Sequence, residues 1–358
     1  MPGDPTVSSR WAMTLKQRIL DEIADGGPVP FERFMEISLY DDDGFFGGSD
    51  LRSQKAGDFL TSPEVSDLFG ETLAVYVDRM RSRIGEPFQL VEAGAGSGSL
   101  LRPLLAVVDV PALAVERSPA ARRALAGVAP VGEELPSRIR GVVIANELLD
   151  NLPVALAQRI DGAWRERWVG REGEQLELVD TEPRPEVLDW LEAYAGPVGE
   201  GGWVEVQLEA RRWVLDVLDR LEAGAILLID YGDSAENLLP RRQDGTLRTY
   251  RSHHLGPHPL DEPGETDITS DVNFSALLDL RPGIRLHRQD DFLAGLGLRD
   301  RLSGLRRAEL AAARAGDEME RLRLRTQVTE VETLLHPRGL GDFRVLEIGV
   351  DGETAQVS

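Results

Sequence analysis

Between Thr14 and Ala24 the apolar positions Leu15, Ile19, Leu20 and Ile23 recur at the spacing of one helical face, and Gly26-Gly27-Pro28 closes the segment. FERFMEISLY after Pro30 predicts a second helix. Residues 41–62, rich in Asp, Gly and Ser, predict a long loop or irregular hairpin before a helix, and loops of that length in a compact domain are usually functional or disordered. Thr61 or Ser62 as N-cap, Pro63 in the first turn and the early acid Glu64 then open a helix expected to reach about Met80. After Gly85-Glu86-Pro87 the pattern becomes one of short apolar strands (88–93, 112–116, 141–146) alternating with helices (100–107, 119–126), the signature of a parallel sheet wrapped by crossovers. Asp161-Gly162 between 154–160 and 164–169 predicts a tight antiparallel hairpin. Helices over 186–194 and 208–222, the most apolar strand at Ala225–Asp230, an irregular stretch 244–282, helices over 289–296, 300–315 and 317–335, and a closing strand 343–348 follow. The fold class expected is α/β, a doubly wound, mostly parallel sheet. A helical N-terminal addition occupies 1–85, and the core 86–358 carries insertions at 154–205 (hairpin and helix) and 235–335 (loop and helical cover).

Composition narrows the function. Charged residues at 28% and hydrophobic ones at 42% are globular proportions. The 62 acidic residues against 40 basic ones give a net charge of -22, which disfavours nonspecific binding to nucleic acid or to an anionic membrane. Such a field suits a cationic protein or peptide, or serves solubility alone. The absence of cysteine removes disulfides, thiolate metal sites, a Cys nucleophile and iron–sulfur ligation, and fits the reducing cytoplasm expected as its location. No export signal is read at the start, and no run nears the ~20 apolar residues of a membrane span, so no membrane insertion is expected. His253, His254 and His258 lack metal-site spacing, and no metal is expected.

The sharpest local signal is LVEAGAGSGSL over 90–100, a strand delivered into a glycine turn and then a helix. A dinucleotide fingerprint needs Gly or Ala at the sixth position of G-x-G-x-x-G, and that position is Ser99. Glu92 with Gly94, Gly96 and Gly98 instead gives E-x-G-x-G-x-G, the form seen in S-adenosylmethionine (SAM) methyltransferases of the doubly wound class. Glycines let a ligand approach the backbone closely, and an acid beside the loop can receive the ammonium of a zwitterionic amino acid. Glu116 ends the next predicted strand, where a carboxylate can accept hydrogen bonds from two ribose hydroxyls.

Beyond the loop, GDFLTSPEVSDLFGE (57–71), VEAGAGSGSL (91–100), VERSP (115–119), ANELLDNLPV (145–154), LLIDYG (227–232), GTLRTYRSHHL (245–255), PGETDITSDVNFSAL (263–277) and GLGDFRVL (339–346) together resemble the MidA-type SAM-dependent methyltransferases. These are bacterial relatives of the mitochondrial complex I assembly arginine methyltransferase. The resemblance spans about 14–350 and implies a class I methyltransferase fold, SAM as methyl donor, and arginine N-methylation of a respiratory-complex subunit or analogous protein. Ala95 stands where the family usually has Pro, Leu340 where it has Met, and the stretch from Pro119 to Arg140 is short.

Methyl transfer asks chiefly that the acceptor be held in line with the methyl and shielded from water. An arginine acceptor stays protonated near neutrality, so carboxylates must orient it. Asn146, Glu147 and Asp150 lie just past the end of a predicted central strand, where open α/β sheets bind ligands, and the two acids are three apart, able to face one pocket if the segment turns helically. Glu147 and Asp150 are therefore expected to orient the acceptor, with Asn146 as a hydrogen-bonding partner. Asp58, Thr61, Ser62 and Glu64 in the first long loop and Glu265, Asp267 and Thr269 in the second are expected to act in a lid or a docking surface. Asp230 and Tyr231 end the apolar strand, serving packing, pocket wall or chemistry. A reading of another class is an assembly chaperone that binds SAM and acts by protein contact without turnover.

Overall fold

The alternation after Gly85 becomes one seven-stranded sheet in the computed structural model, which describes residues 13–48, 61–251 and 254–350. Its strands are β1 (Gln89–Ala93), β2 (Ala112–Val115), β3 (Val131–Gly132), β4 (Ile139–Asn146), β5 (Leu221–Asp230), β6 (Arg285–Arg288) and β7 (Arg344–Val350). Their order is β3-β2-β1-β4-β5-β7-β6. β1 to β5 run parallel, and β7 is antiparallel to both β5 and β6. The order reverses between β1 and β4, and at such a switch point the carboxyl ends of the strands leave a crevice for a ligand.

The near-continuous apolar run AILLID is what a central strand covered on both faces requires, and β5 is buried at every position but Glu222. Where β5, β4 and β1 run side by side, Gly224 pairs with Gly141 and Gly141 with Gln89. A Cβ at Gly224 would lie 1.7 Å from the Gly141 carbonyl oxygen, and one at Gly141 1.9 Å from that of Gln89, so only glycine fits either position.

The described residues of Ser53–Asp150, Trp213–Asp233 and Leu277–Ser358 form one compact unit, which contains this sheet. Those of Met1–Arg52, Asn151–Arg212 and Ser234–Ala276 form another. In the first, Leu73 and Val77 of helix Asp67–Ile84 pack with Leu90, Leu104, Ile144, Leu227 and Val345. That helix therefore belongs with the sheet, whereas the sequence grouped it with the N-terminal addition. Helices Leu15–Gly26 and Phe31–Tyr40 instead share a core with Val154, Leu156 and Val169 in the second unit. There an antiparallel sheet runs Val29–Pro30, Ala163–Glu172, Ala155–Ile160, Trp203–Val206, with Gln175–Thr181 on Ala163–Glu172. The turn at Asp161-Gly162, with φ of 52° and 74°, is the tight hairpin expected.

Other departures from the sequence reading are local. The helix expected from Thr61 to Met80 is two, Ser62–Val65 and Asp67–Ile84. Ser66 parts them because its hydroxyl accepts the Leu68 N–H at 3.2 Å and starts a new cap. The helix after the glycine loop is confined to Leu101–Leu105. Within the irregular stretch 244–282, strands Arg248–Arg251, His254–Leu255 and Asp267–Thr269 pair into a small sheet.

Candidate active site

β1 delivers Glu92 to the glycine turn. Gly94, Gly96 and Gly98 all have positive φ, at 69°, 52° and 80°, but their surroundings separate them. A Cβ at Gly94 or Gly98 would meet Leu148 Cδ1 at 3.0 Å or Leu125 Cδ2 at 2.9 Å, so these two serve close packing of the turn. At Gly96 a Cβ meets no protein atom within 4 Å, which leaves this part of the turn open to a ligand. Glu116 is tied to the same turn: Oε2 accepts the Gly96 N–H at 2.8 Å and Oε1 the Ser118 N–H at 2.7 Å. Each oxygen keeps a further lone-pair direction for a hydroxyl donor.

Glu92 is 4% exposed and lies against the core side chains of Leu90, Leu100, Leu101, Leu104 and Ile144. Burial first, and the charge of Glu116 second, hold its carboxyl well above the usual carboxylate range. Its Oε2 has no hydrogen-bond partner among the described residues. A buried acceptor of this kind is costly, and it fits a ligand that brings a cation or a donor. With the open face of Gly96 and the spare lone pairs of Glu116, these residues fit a ribose-bearing ligand with an ammonium group.

Next to β1, β4 ends at Asn146, and Glu147 follows with a left-handed φ of 50°, a conformation an L-residue other than Gly, Asn or Asp seldom takes. Its N–H still bonds the Ile229 carbonyl of β5 at 2.8 Å. The helical turn expected of N-E-L-L-D is a single 3-10 turn, Leu149–Asn151, so Glu147 is aimed by its own backbone and not by a helix face. Asn146 Nδ2 donates to Glu147 Oε1 at 3.1 Å, while Asn146 Oδ1 is buried without a partner. Burial, with the nearby charge of Asp150, pushes the half-buried Glu147 carboxyl up to about 8, against the Asn146 hydrogen bond and the Ser62 main-chain N–H, which favour ionisation.

Asp230, at the end of β5 and 1% exposed, is the member the sequence left undecided. Its Oδ2 accepts the N–H groups of Leu149 and Asp150 at 2.9 and 3.3 Å, and Oδ1 that of Tyr231 at 2.9 Å. Tyr231 in turn donates its hydroxyl to Asp150 Oδ2 at 2.5 Å. Burial, then the charges of Asp150 and Glu147, raise the Asp230 carboxyl well above its ordinary range. The signal available in the sequence was an acid closing the most apolar strand of the chain.

The end of the first long loop reaches this cluster. Thr61 and Glu64 form a capping box, Ser62 directs its N–H at Glu147, and the charge of Glu64 also bears on Glu147. Asp58 and His253 lie outside the described residues. Glu265, Asp267 and Thr269 belong to the other unit, where Asp267 Oδ1 accepts Asn151 Nδ2 at 2.7 Å and Thr269 is buried in strand register with Arg248. The structure thus brings Ser62, Glu64, Asn146, Glu147 and Asp150 together, and adds Asp230 and Tyr231.

Comparison with known proteins gives the site its context. Residues 68–287 match a family model described as "Putative S-adenosyl-L-methionine-dependent methyltransferase". The chain is 28% identical over 308 residues to the mitochondrial protein arginine methyltransferase NDUFAF7 homolog of Drosophila melanogaster, covering 73% of this chain and 68% of that protein. It is 26% identical to mitochondrial NDUFAF7 of Mus musculus, a protein arginine methyltransferase, over 85% of this chain and 78% of that one. A solved structure of a Burkholderia thailandensis protein with S-adenosyl-homocysteine bound superposes with a TM-score of 0.82 at 28% identity, over 98% of this chain and 95% of that one.

Proposed function

The chain belongs to the MidA-like family of SAM-dependent methyltransferases, and from that premise we propose that it methylates an arginine side chain of a protein, a respiratory-complex subunit or an analogous target. The relatives from Drosophila melanogaster and Mus musculus, named as protein arginine methyltransferases, support the acceptor. The observation that carries the reading is the company of Glu147. The groups acting most strongly on it are Asp150, Glu64, the Asn146 amide and the Ser62 N–H, and none is cationic. A carboxyl raised by burial, and then by the charge of a neighbouring acid, is completed by a cation, and a guanidinium offers five donors in a planar fork.

Glu92, Gly96 and Glu116 would hold the cofactor on the turn that Gly94 and Gly98 shape, and the cofactor supplies a methyl group on a positively charged sulfur. The other work belongs to the chain's own side chains. Glu147 and Asp150 accept hydrogen bonds from the guanidinium and fix which nitrogen faces the methyl, and Asn146 steadies Glu147. With the guanidinium in place the Glu147 carboxyl ionises, and it takes the proton the acceptor nitrogen must lose.

The test is incubation of the purified protein and methyl-labelled SAM with an extract of a deletion strain, followed by amino-acid analysis of the labelled band. Methylarginine is the expected product. Label on another residue type would overturn the acceptor assignment. Calorimetry showing no affinity for S-adenosyl-homocysteine would transfer the case to a chaperone acting by contact alone.

A further inference from the structure

We propose that Gln289 is a positioning residue for the acids at the end of β4, bracing Glu147 through Ser62 and Asp150 through Phe343 and Tyr231; the inference rests on the role given to Glu147 above. Gln289 follows β6 directly, opens the helix Gln289–Gly295 and is fully buried. Its Nε2 donates to Ser62 Oγ and to the Leu340 carbonyl, both at 2.9 Å. A carbonyl only accepts, so the amide nitrogen must face Leu340, and the same nitrogen then holds Ser62. Ser62 is also fully buried, and its main-chain N–H is the one aimed at Glu147.

A second arm leaves the Gln289 backbone. Its N–H bonds the Phe343 carbonyl at 2.8 Å, the Phe343 ring lies 5.6 Å from that of Tyr231, and the Tyr231 hydroxyl holds Asp150. One residue thus ties the T-S-P-E turn and the G-L-G-D-F turn, far apart in sequence, to the two acids.

Among the described residues Gln289 Oε1 is buried without a partner, a cost that an apolar side chain would not carry. A left-handed Glu147 explains why the amide is worth that cost. A strained non-glycine residue persists only where its surroundings over-determine it, and the two arms provide that constraint.

Gln289→Met keeps the volume and removes both side-chain hydrogen bonds. Two readouts separate positioning from packing. The carboxyl carbon signal of Glu147, identified by its loss in Glu147→Gln, titrates near 8 in the unaltered protein and is expected to titrate at higher pH in Gln289→Met, because a held N–H favours the charged form. Methyl transfer from labelled SAM into the deletion-strain extract is expected to fall by up to about 100-fold, with affinity for S-adenosyl-homocysteine unchanged. An unmoved Glu147 titration together with unchanged transfer would overturn the proposal. Should Gln289→Met not fold, Ser62→Ala cuts the same bond from its other end and decides by the same two readouts. Transfer left intact by Glu147→Gln would sink the role of Glu147 itself, while the titration would still decide whether Gln289 braces it.

Discussion

Glu166 and Glu205, in the unit built on the antiparallel sheet, are as deeply buried as Asp150 and Asp230 in the unit built on the seven-stranded one, but they keep different company. Glu205 receives Arg242 Nη1 at 2.8 Å on one oxygen and the Thr246 and Leu247 N–H groups at 2.6 and 3.2 Å on the other. Glu166 receives the Arg184 side chain at 2.8 Å and its main chain at 2.9 Å. Among the described residues Asp230 has three main-chain donors and no guanidinium as hydrogen-bond partners, and the charges that act on it are those of two other acids. A buried acid paired with arginine is part of the fold, because the pair neutralises what burial makes expensive. Asp230 and Glu147, raised by burial first and by neighbouring acids second and held by neutral donors, are set for a charge that comes from outside.

The comparison breaks most visibly if single substitutions in the two regions fail to behave oppositely. Glu147→Gln is expected to lower kcat for methyl transfer by about 10²–10⁴, the range for loss of a general acid–base group, while leaving thermal stability equal or higher. A melting scan and the labelled-methyl assay on the same preparation read both. Arg242→Ala should do the reverse of the stability result. It strands Glu205, buried with 1% of its side chain exposed, at a cost of about 3–5 kcal/mol, measured by urea unfolding. Equal stability losses in the two variants would erase the distinction between an acid held by arginine and one held by neutral donors.

Much of this arrangement was legible before any coordinates. AILLID announced the central strand, Asp161-Gly162 the hairpin turn, and the spacing of Glu92, Gly94, Gly96 and Glu116 the β1 end of the crevice, because each depends on local chemistry or on period. The pairing of distant acids was not legible. Asp230 and Asp150 are brought together by the adjacency of β4 and β5, and that order is a property of sheet topology that no local pattern encodes. Ser66 was missed for another reason: a serine within an otherwise helical stretch reads as tolerated, and only its choice to cap Leu68 ends one helix and begins the next. Glu147 shows the same limit, since nothing in N-E-L-L-D announces a left-handed backbone.

Tyr231→Phe sharpens the comparison at smaller scale. The ring contact with Phe343 is kept and only the hydroxyl on Asp150 is lost, a hydrogen bond to a charged group worth about 1.5–3 kcal/mol. If Asp150 contacts the acceptor, that loss should fall on kcat/KM for the protein substrate and leave affinity for S-adenosyl-homocysteine in place. A variant that loses both equally would assign Tyr231 to packing.

The smallest effect is a slope. Glu147 titrates near 8 in the folded protein and, as an ordinary glutamate, near 4.5 when unfolded. Between those values the folded state binds more protons than the unfolded one, so stability must fall as pH rises through the window, by at most about 1.4 kcal/mol per pH unit for one group. Below pH 4.5 both states are protonated and the contribution is complete. Asp230 and Glu92, also raised, add slopes of the same sign, so the whole protein's curve cannot isolate Glu147. The difference between the unaltered protein and Glu147→Gln can. Urea unfolding of both from pH 5 to 8 should show the variant gaining stability relative to the parent as pH rises. Parallel curves would mean that Glu147 is ionised in the folded state as it is in water, and the contrast with the arginine-paired acids would then rest on Asp230 alone.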